Sequence, residues 1–196
     1  MHPVCSIAFA AAALVLGSAC VRADDPPNGS WRFTANGRER TFALDIGRIA
    51  LVPADTDEAR IVKACQTVEA AIRVEQKLGT ALILSISPRT SLKSLAELAS
   101  RLQAAGAGEA APVLLADGAA LPIYIATREV LLQTMDRVEA AAWAPQATLI
   151  PLSGGHIATF KSPAEALDMA LQLRAAGHPV VPQLAQRREL RPAVLR

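Results

Sequence analysis

The sequence has few aromatic residues, few cysteines and no excess of charge of either sign. Aromatic side chains make up 4% of its 196 residues, too few for the stacking surfaces that bind sugars or single-stranded nucleic acids. The 20 Lys and Arg residues nearly balance the 18 Asp and Glu residues, so the charge does not favour a nucleic-acid partner. Three cysteines cannot build a disulfide framework. Glycine-rich phosphate loops and paired metal-ligand spacings are also missing, and we therefore expect neither a cofactor nor a metal.

Apolar residues, by contrast, are abundant. They make up 52% of the chain, and Ala and Leu dominate among them. This is enough to fill the core of one domain or of two small ones. A core of Ala, Leu, Val and Ile is typical of helices that pack on a sheet.

The N-terminal region has the pattern of a secretory signal. An uncharged apolar run from Val4 to Val21 ends in Val21-Arg22-Ala23, which fits the small-x-small rule for cleavage. We predict removal of residues 1–23 and a secreted or periplasmic protein, with no membrane contact beyond the signal segment.

Two other fates of this segment stay open. Cys20 could carry a lipid anchor, although Leu16 stands one position too far upstream for that processing signal. The apolar run is also just long enough to remain as an uncleaved membrane anchor. After cleavage Cys65 is the single remaining cysteine, and its apolar helical surroundings indicate a buried side chain rather than a catalytic thiol.

The chain contains an internal repeat with an offset of 71 residues. The segments Leu92–Gly106 and Pro163–Gly177 both follow a serine, both end in Ala-Ala-Gly, and both have apolar residues at helical spacing. The matched apolar positions are Leu95, Leu98, Ala99 and Leu102 in the first copy and Ala166, Met169, Ala170 and Leu173 in the second. Serine at the start and glycine just past the end are helix capping signals, so we predict two equivalent helices.

Apolar runs and shorter helical segments surround each repeated helix in the same order. The shorter helices are predicted at Asp57–Val68 and Asp136–Trp143. Each copy then reads strand, helix, strand, strand, helix, strand, over 45–116 and 121–185. We predict an α+β fold of two tandem ferredoxin-like βαββαβ units. They follow a leader and a β-hairpin at 24–44, in which Asn36-Gly37 forms the turn.

Three residue groups invite functional readings, and each also has a structural one. Ser153-Gly154-Gly155-His156 fits a hairpin turn and lacks the glycine pattern of a hydrolase nucleophile. His178 fits a cation at a helix C-terminus, and Trp143 fits the core. We find no catalytic constellation and predict that the protein is not an enzyme.

The C-terminal stretch Gln183–Arg196 has a different character. It holds four Arg residues and a proline, and it shows neither helical nor strand periodicity. We predict that residues 186–196 form an extended basic tail beyond the last strand. Such a tail either is solvated or lies in the groove of another protein as an added strand.

Three segments resemble the N-terminal propeptide of secreted subtilisin-like serine proteases. Asp45–Leu51 and Leu121–Val130 look like the opening strands of that propeptide, and Ala164–Gln183 looks like its last helix and final strand. The resemblance covers roughly Trp31 to Arg188. It implies a ferredoxin-like module that binds a protease with its sheet face, guides the folding of that protease and blocks its cleft with a C-terminal tail. The protease's own catalytic Asp, His-Gly-Thr and Gly-Thr-Ser segments are missing from this sequence.

The resemblance therefore implies a free-standing inhibitor or folding chaperone of a secreted subtilisin-like protease. We expect the cleft-binding end of the tail at Ala193, Val194, Leu195 and Arg196, because a small apolar run with a free carboxylate resembles a cleaved substrate. Three alternatives stay open: a periplasmic or surface interaction module with no protease partner, a truncated protease precursor, and a small enzyme on the same fold.

Overall fold

The computed structural model describes residues 30–35, 38–117 and 123–187. The predicted signal segment and the tail residues 188–196, with Ala193, Val194, Leu195 and Arg196 among them, lie outside the described residues. In chain order the elements are β1 (Ser30–Ala35), β2 (Arg38–Pro53), α1 (Glu58–Val68), β3 (Arg73–Leu78), β4 (Ala81–Ser85), α2 (Leu92–Ala104), β5 (Gly108–Ala116), β6 (Ile123–Gln133), α3 (Arg137–Trp143), β7 (Thr148–Leu152), β8 (Gly155–Thr159), α4 (Pro163–Ala175) and β9 (Val180–Arg187).

The α+β class is confirmed: within the described ranges four helices accompany one antiparallel sheet of nine strands. The sheet order is β3-β4-β2-β5-β6-β8-β7, with β1 paired to β2 and β9 paired to β6. We call β2 to β5 the first half and β6 to β9 the second half. The strands of the first half are ordered β3-β4-β2-β5, and those of the second half are ordered β7-β8-β6-β9. The two halves thus have the same strand order, and β5 pairs with β6 to join them.

The long strands β2 and β6 each change partner at a register shift. The shift lies between Leu44 and Ile49 in β2 and between Ala126 and Val130 in β6. Before the shift β2 pairs with β1 and β6 pairs with β5; after it they pair with β4 and β8. Such bulges bend a strand and change its direction. One strand can therefore pair with one neighbour before the bulge and with another after it.

Matching hydrogen bonds stabilise the two bulges. The Ile86 N–H donates to the Gly47 carbonyl at 2.9 Å, and the Phe160 N–H donates to the Arg128 carbonyl at 2.8 Å. Ile86 and Phe160 each follow the third strand of their half, so the bulge and the start of the next connection are tied together in both halves.

The capping signals of the repeated helices are confirmed. Ser91 and Ser162 are the N-caps of α2 and α4, and their hydroxyls accept the N–H of Ser94 and Glu165. Past the helix ends, Gly106 and Gly177 have φ of +73° and +86°. Glycine adopts this left-handed conformation without the strain that a β-carbon would cause.

Helices cover one face of each half. Under α1 and α2 lies a cluster that includes Leu51, Ile61 and Leu102, and under α3 and α4 lies one that includes Leu132 and Leu173. Cys65 is buried in the first cluster, and burial raises the pKa of its thiol. This confirms the prediction of a buried cysteine and agrees with an unreactive one.

The tail predicted at residues 186–196 starts two residues too early, because residues 186 and 187 belong to the last strand. Strand β9 continues to Arg187, and Ala185 and Arg187 pair with Ile125 and Ile123 of β6. The Thr127 hydroxyl, in the β6 bulge, also donates to the Gln183 carbonyl at 2.9 Å. Pairing with a distant strand supplies the order that the local sequence does not signal, so residues 183–187 belong to the sheet.

We therefore expect two truncations to behave differently. A chain that ends at Arg187 should keep the stability of the full chain to within about 0.5 kcal/mol. A chain that ends at Pro182 should lose roughly 3 kcal/mol or more, because the truncation removes most of β9 and uncovers apolar surface of β6. Urea denaturation measures both, and equal stability of the two truncated chains would contradict the assignment of 183–187 to the sheet.

A carboxylate links the end of α1 to the loop that precedes α2. Glu69 accepts the Ser87 N–H at 2.9 Å and forms an ion pair with Arg89. Partial burial by itself raises the pKa of Glu69, but the hydrogen bonds from Ser87 and the positive charge of Arg89 outweigh it, so the pKa lies below its ordinary value of 4.5. The ionised form is therefore favoured in the folded state.

A carboxyl group whose pKa is lowered by folding stabilises the protein at pH values above the pKa that this group has in the unfolded chain. This contribution is lost as the pH falls through the pKa of the group in the folded state. Glu69→Gln should thus destabilise the protein by about 1–2 kcal/mol at pH 7, and the difference from wild type should shrink below pH 4.5. Urea denaturation at several pH values measures this. Glu75→Gln, on the exposed edge strand β3, is the control, and a gap that stays constant with pH would contradict the role of Glu69.

Candidate protein-docking surface

The sheet face of the second half that points away from the helices carries a row of aliphatic side chains. Ile150, Ile157, Leu131 and Val181 are cross-strand partners on β7, β8, β6 and β9 in turn. Directly paired residues of a sheet point to the same side. The alternate residues of these strands, such as Leu149 and Ala158, pack under the helices, so this apolar row lies on the opposite face.

The apolar row is accessible to solvent. Ile150 is 49% exposed, and Leu152, two positions further along β7 and on the same face, is 45% exposed. Ile157, Leu131 and Val181 are half-buried. A contiguous exposed apolar strip on a sheet commonly marks a site of protein association.

The equivalent row of the first half is closed. The members of this row are cross-strand partners: Ile83 on β4, Ala50 on β2 and Ala111 on β5. They correspond, in this order, to Ile157, Leu131 and Val181 of the second half. Their exposed fractions are 0%, 1% and 4%, and they share a buried cluster with Ile123 and Ile125 of β6. At the outer strand of the row, the first half has the polar Gln76 where the second has Ile150.

The helix above the outer edge of the second half also exposes apolar groups. Val138 of α3 is 80% exposed, and Trp143 at its last position is 36% exposed. The prediction that Trp143 lies in the core is therefore wrong, because Ala140 and Ala144 take the core positions of this short helix. The indole instead packs edge-on against the His178 ring, with 5.2 Å between ring centroids.

The edge strands β7 and β3 are poorly suited to strand addition. The edge strand β7 contains Pro151, which has no N–H to donate. The opposite edge strand β3 carries Arg73, Glu75 and Lys77, and charged side chains discourage edge pairing. Association at the β7 side of the second half is thus expected to use the apolar face rather than the backbone of this edge.

The residues of the predicted turn and the two histidines considered above have structural roles. Ser153 and Gly154 form the turn between β7 and β8, as predicted, and His156 lies buried on β8 with its Nδ1 3.2 Å from the Met135 carbonyl oxygen. His178 follows the end of α4, and its Nδ1 lies 3.5 Å from a carboxylate oxygen of Glu139.

Two further features of the described residues concern metal ions and small molecules. Among these residues, no three His, Cys, Asp or Glu residues are grouped so that they could hold a metal ion. An open cleft of about 540 Å³ lies near the start of α1, and each of its charged side chains already has a partner of opposite charge. Lys77 lies 3.5 Å from Glu58, and hydrogen bonds from the backbone of Thr56 and Asp57 lower the pKa of Asp55. None of the described helices has the length and apolarity to span a membrane.

The strand that borders the apolar row also leads to the tail. Val181 of β9 is the last member of the row, and β9 ends at Arg187 beside Ile123. Nine residues follow Arg187 in the sequence, and fully extended they would span at most about 30 Å.

No protein-family model, curated protein or solved structure matches the chain.

The different exposure of the two rows predicts unequal effects of one substitution at equivalent positions. Ile83→Ala should cost about 3–4 kcal/mol, because it leaves a cavity in a closed cluster. Ile157→Ala should cost less than about 2 kcal/mol, because this side chain is already partly hydrated. Chemical denaturation measures both, and an equal loss would show that the second row is as closed as the first.

Proposed function

We propose that the protein is a secreted, propeptide-like module that binds a subtilisin-like serine protease and acts as its inhibitor, its folding chaperone or both. The observation that carries the proposal is the open apolar row of the second half, next to the strand from which the tail continues. The resemblance to subtilisin propeptides implies a docking sheet face and a C-terminal tail that blocks the cleft. The proposal includes a non-enzymatic role without a cofactor.

We further propose that the two halves are tandem ferredoxin-like units. The matching strand orders, the helices on one face and the paired bulges support this reading. The hairpin of β1 and β2 precedes the first unit, and strand β5, which closes the first unit, pairs with the opening strand of the second.

The two proposed contacts, one through the sheet face and one through the tail, would have different effects on the protease. Burial of the apolar row against a folded protease would contribute about 25 cal/mol for each Å² removed from water. A partner that binds the native protease but not its unfolded chain shifts the folding equilibrium toward the native state. Sheet-face docking alone would therefore assist folding while leaving the protease cleft open.

Inhibition is assigned to the tail. A segment that docks in the cleft as an added strand gains backbone hydrogen bonds, and Ala193, Val194, Leu195 and Arg196 are the proposed cleft-binding residues. Because residues 183–187 are part of the sheet, the segment available for the cleft is 188–196 rather than the whole of Gln183–Arg196.

A second candidate function is an extracellular or periplasmic interaction module with no protease partner. The exposed Val138 and Trp143 of α3 favour it, because they lie outside the apolar row and the resemblance assigns them no role. If substitution of Val138 abolished binding to a partner that is not a protease, that result would distinguish this function from the first.

The test is a titration of a subtilisin-like protease of the same organism with the full mature protein and with a chain that ends at Arg187. We expect the full protein to inhibit proteolysis and the truncated chain to inhibit at least about tenfold less, while both increase the yield of refolded protease. Equal inhibition would reject the tail assignment. No inhibition and no refolding effect from either protein would reject the protease partner and favour the second candidate function.

A further inference from the structure

We infer that only the second half docks the protease, so that one chain binds one protease molecule although its two halves share a strand order. This inference rests on the proposed function. It follows from the contrast between the closed row of the first half and the open row of the second.

The first half cannot offer its sheet face without breaking the fold. Ile83 and Ala50 are almost fully buried in the cluster that includes Ile123 and Ile125. Ile123 and Ile125 lie on β6, and both are paired to β5, which joins the halves. Uncovering the first row would therefore expose a closed core to water and disturb the contacts that this core makes with β6.

The second half offers its face without any rearrangement. Its apolar row runs across four strands and reaches solvent at Ile150, where the first half has a polar Gln76. Apolar side chains at the edge of a row enlarge the area that a partner can bury, whereas a polar one must be desolvated.

The length of the tail allows one partner to contact both the apolar row and the tail. From Val181 to Arg187 strand β9 advances six residues, about 20 Å, and the following nine residues reach at most about 30 Å further. A folded protease on the apolar row therefore lies within reach of the tail. A second protease on the first half would have neither an open face nor a terminal tail, because the next described strand after β5 is β6 of the second half.

Two isoleucines of nearly equal exposure provide a matched test. Ile150 of the second half is 49% exposed, and Ile46, in the bulge of β2, is 45% exposed. We would measure binding of Ile150→Asp, Ile46→Asp and wild type by titration calorimetry. The probe is a subtilisin-like protease of the same organism with its nucleophilic serine replaced by alanine. Thermal denaturation would verify that both variants fold.

We expect one protease per chain, an affinity that falls at least about tenfold for Ile150→Asp and a change of less than about twofold for Ile46→Asp. Two proteases per chain, or an equal or larger loss for Ile46→Asp, would overturn this inference and leave the protease function intact. Self-association of the free protein that Ile150→Asp abolishes would also overturn it, because a second copy would then occupy the row. No binding by wild type would overturn the proposed function and the inference together.

Discussion

The antiparallel pairing of β5 with β6 is the interaction on which the arrangement of the two halves depends. Val113, Leu114 and Leu115 pair with Ile125, Tyr124 and Ile123. The pairing is possible because β6 changes its partner at the bulge. The part before the bulge is free to pair with β5, and the part after it pairs with β8. The pairing of β5 with β6 also buries Ile123 and Ile125 in the cluster that includes Ile83. One short ladder thus joins the halves and seals the first sheet face.

The same constraint explains why the second face differs. Within the described residues, no strand follows β9 as β6 follows β5, so the row from Ile150 to Val181 keeps contact with water. Aliphatic residues at Ile150 and Leu152 are costly on a surface that stays in solvent, and their replacement by polar residues would leave the core intact. An exposed apolar strip of this kind commonly marks a surface that another molecule covers, and this is the physical basis of the proposed function.

Local signals predicted the helices and the alternation of elements well. Ser91 and Ser162 cap helices where the sequence indicated, and Asp57 and Asp136 begin the shorter ones. These features depend on residues within one turn of each other. By contrast, strand 183–187 and the exposure of Trp143 depend on partners far away in sequence, β6 for the strand and Ala140 and Ala144 for the helix packing.

The candidate surface was harder to predict than the fold. The segment Thr148–Leu152 is apolar at successive positions, which was a signal that both faces of this strand meet apolar surroundings. The sequence cannot show that the corresponding face of the first half is sealed, because the sealing residues come from the second half. The tail assignment rests on the composition of the tail and on the resemblance, and the pairing of β9 moves the start of the tail to residue 188.

Side-chain footprinting of the complex would test the central claim most directly. A carbene reagent labels exposed aliphatic side chains, and mass spectrometry reports the labelling of each peptide with and without a catalytically inactive subtilisin-like protease of the same organism. The account predicts that Ile150, Leu152 and Ile157 lose labelling in the complex while Ile46 keeps it. Unchanged labelling of β7 and β8 in a complex that forms, or protection centred on Ile46, would contradict it.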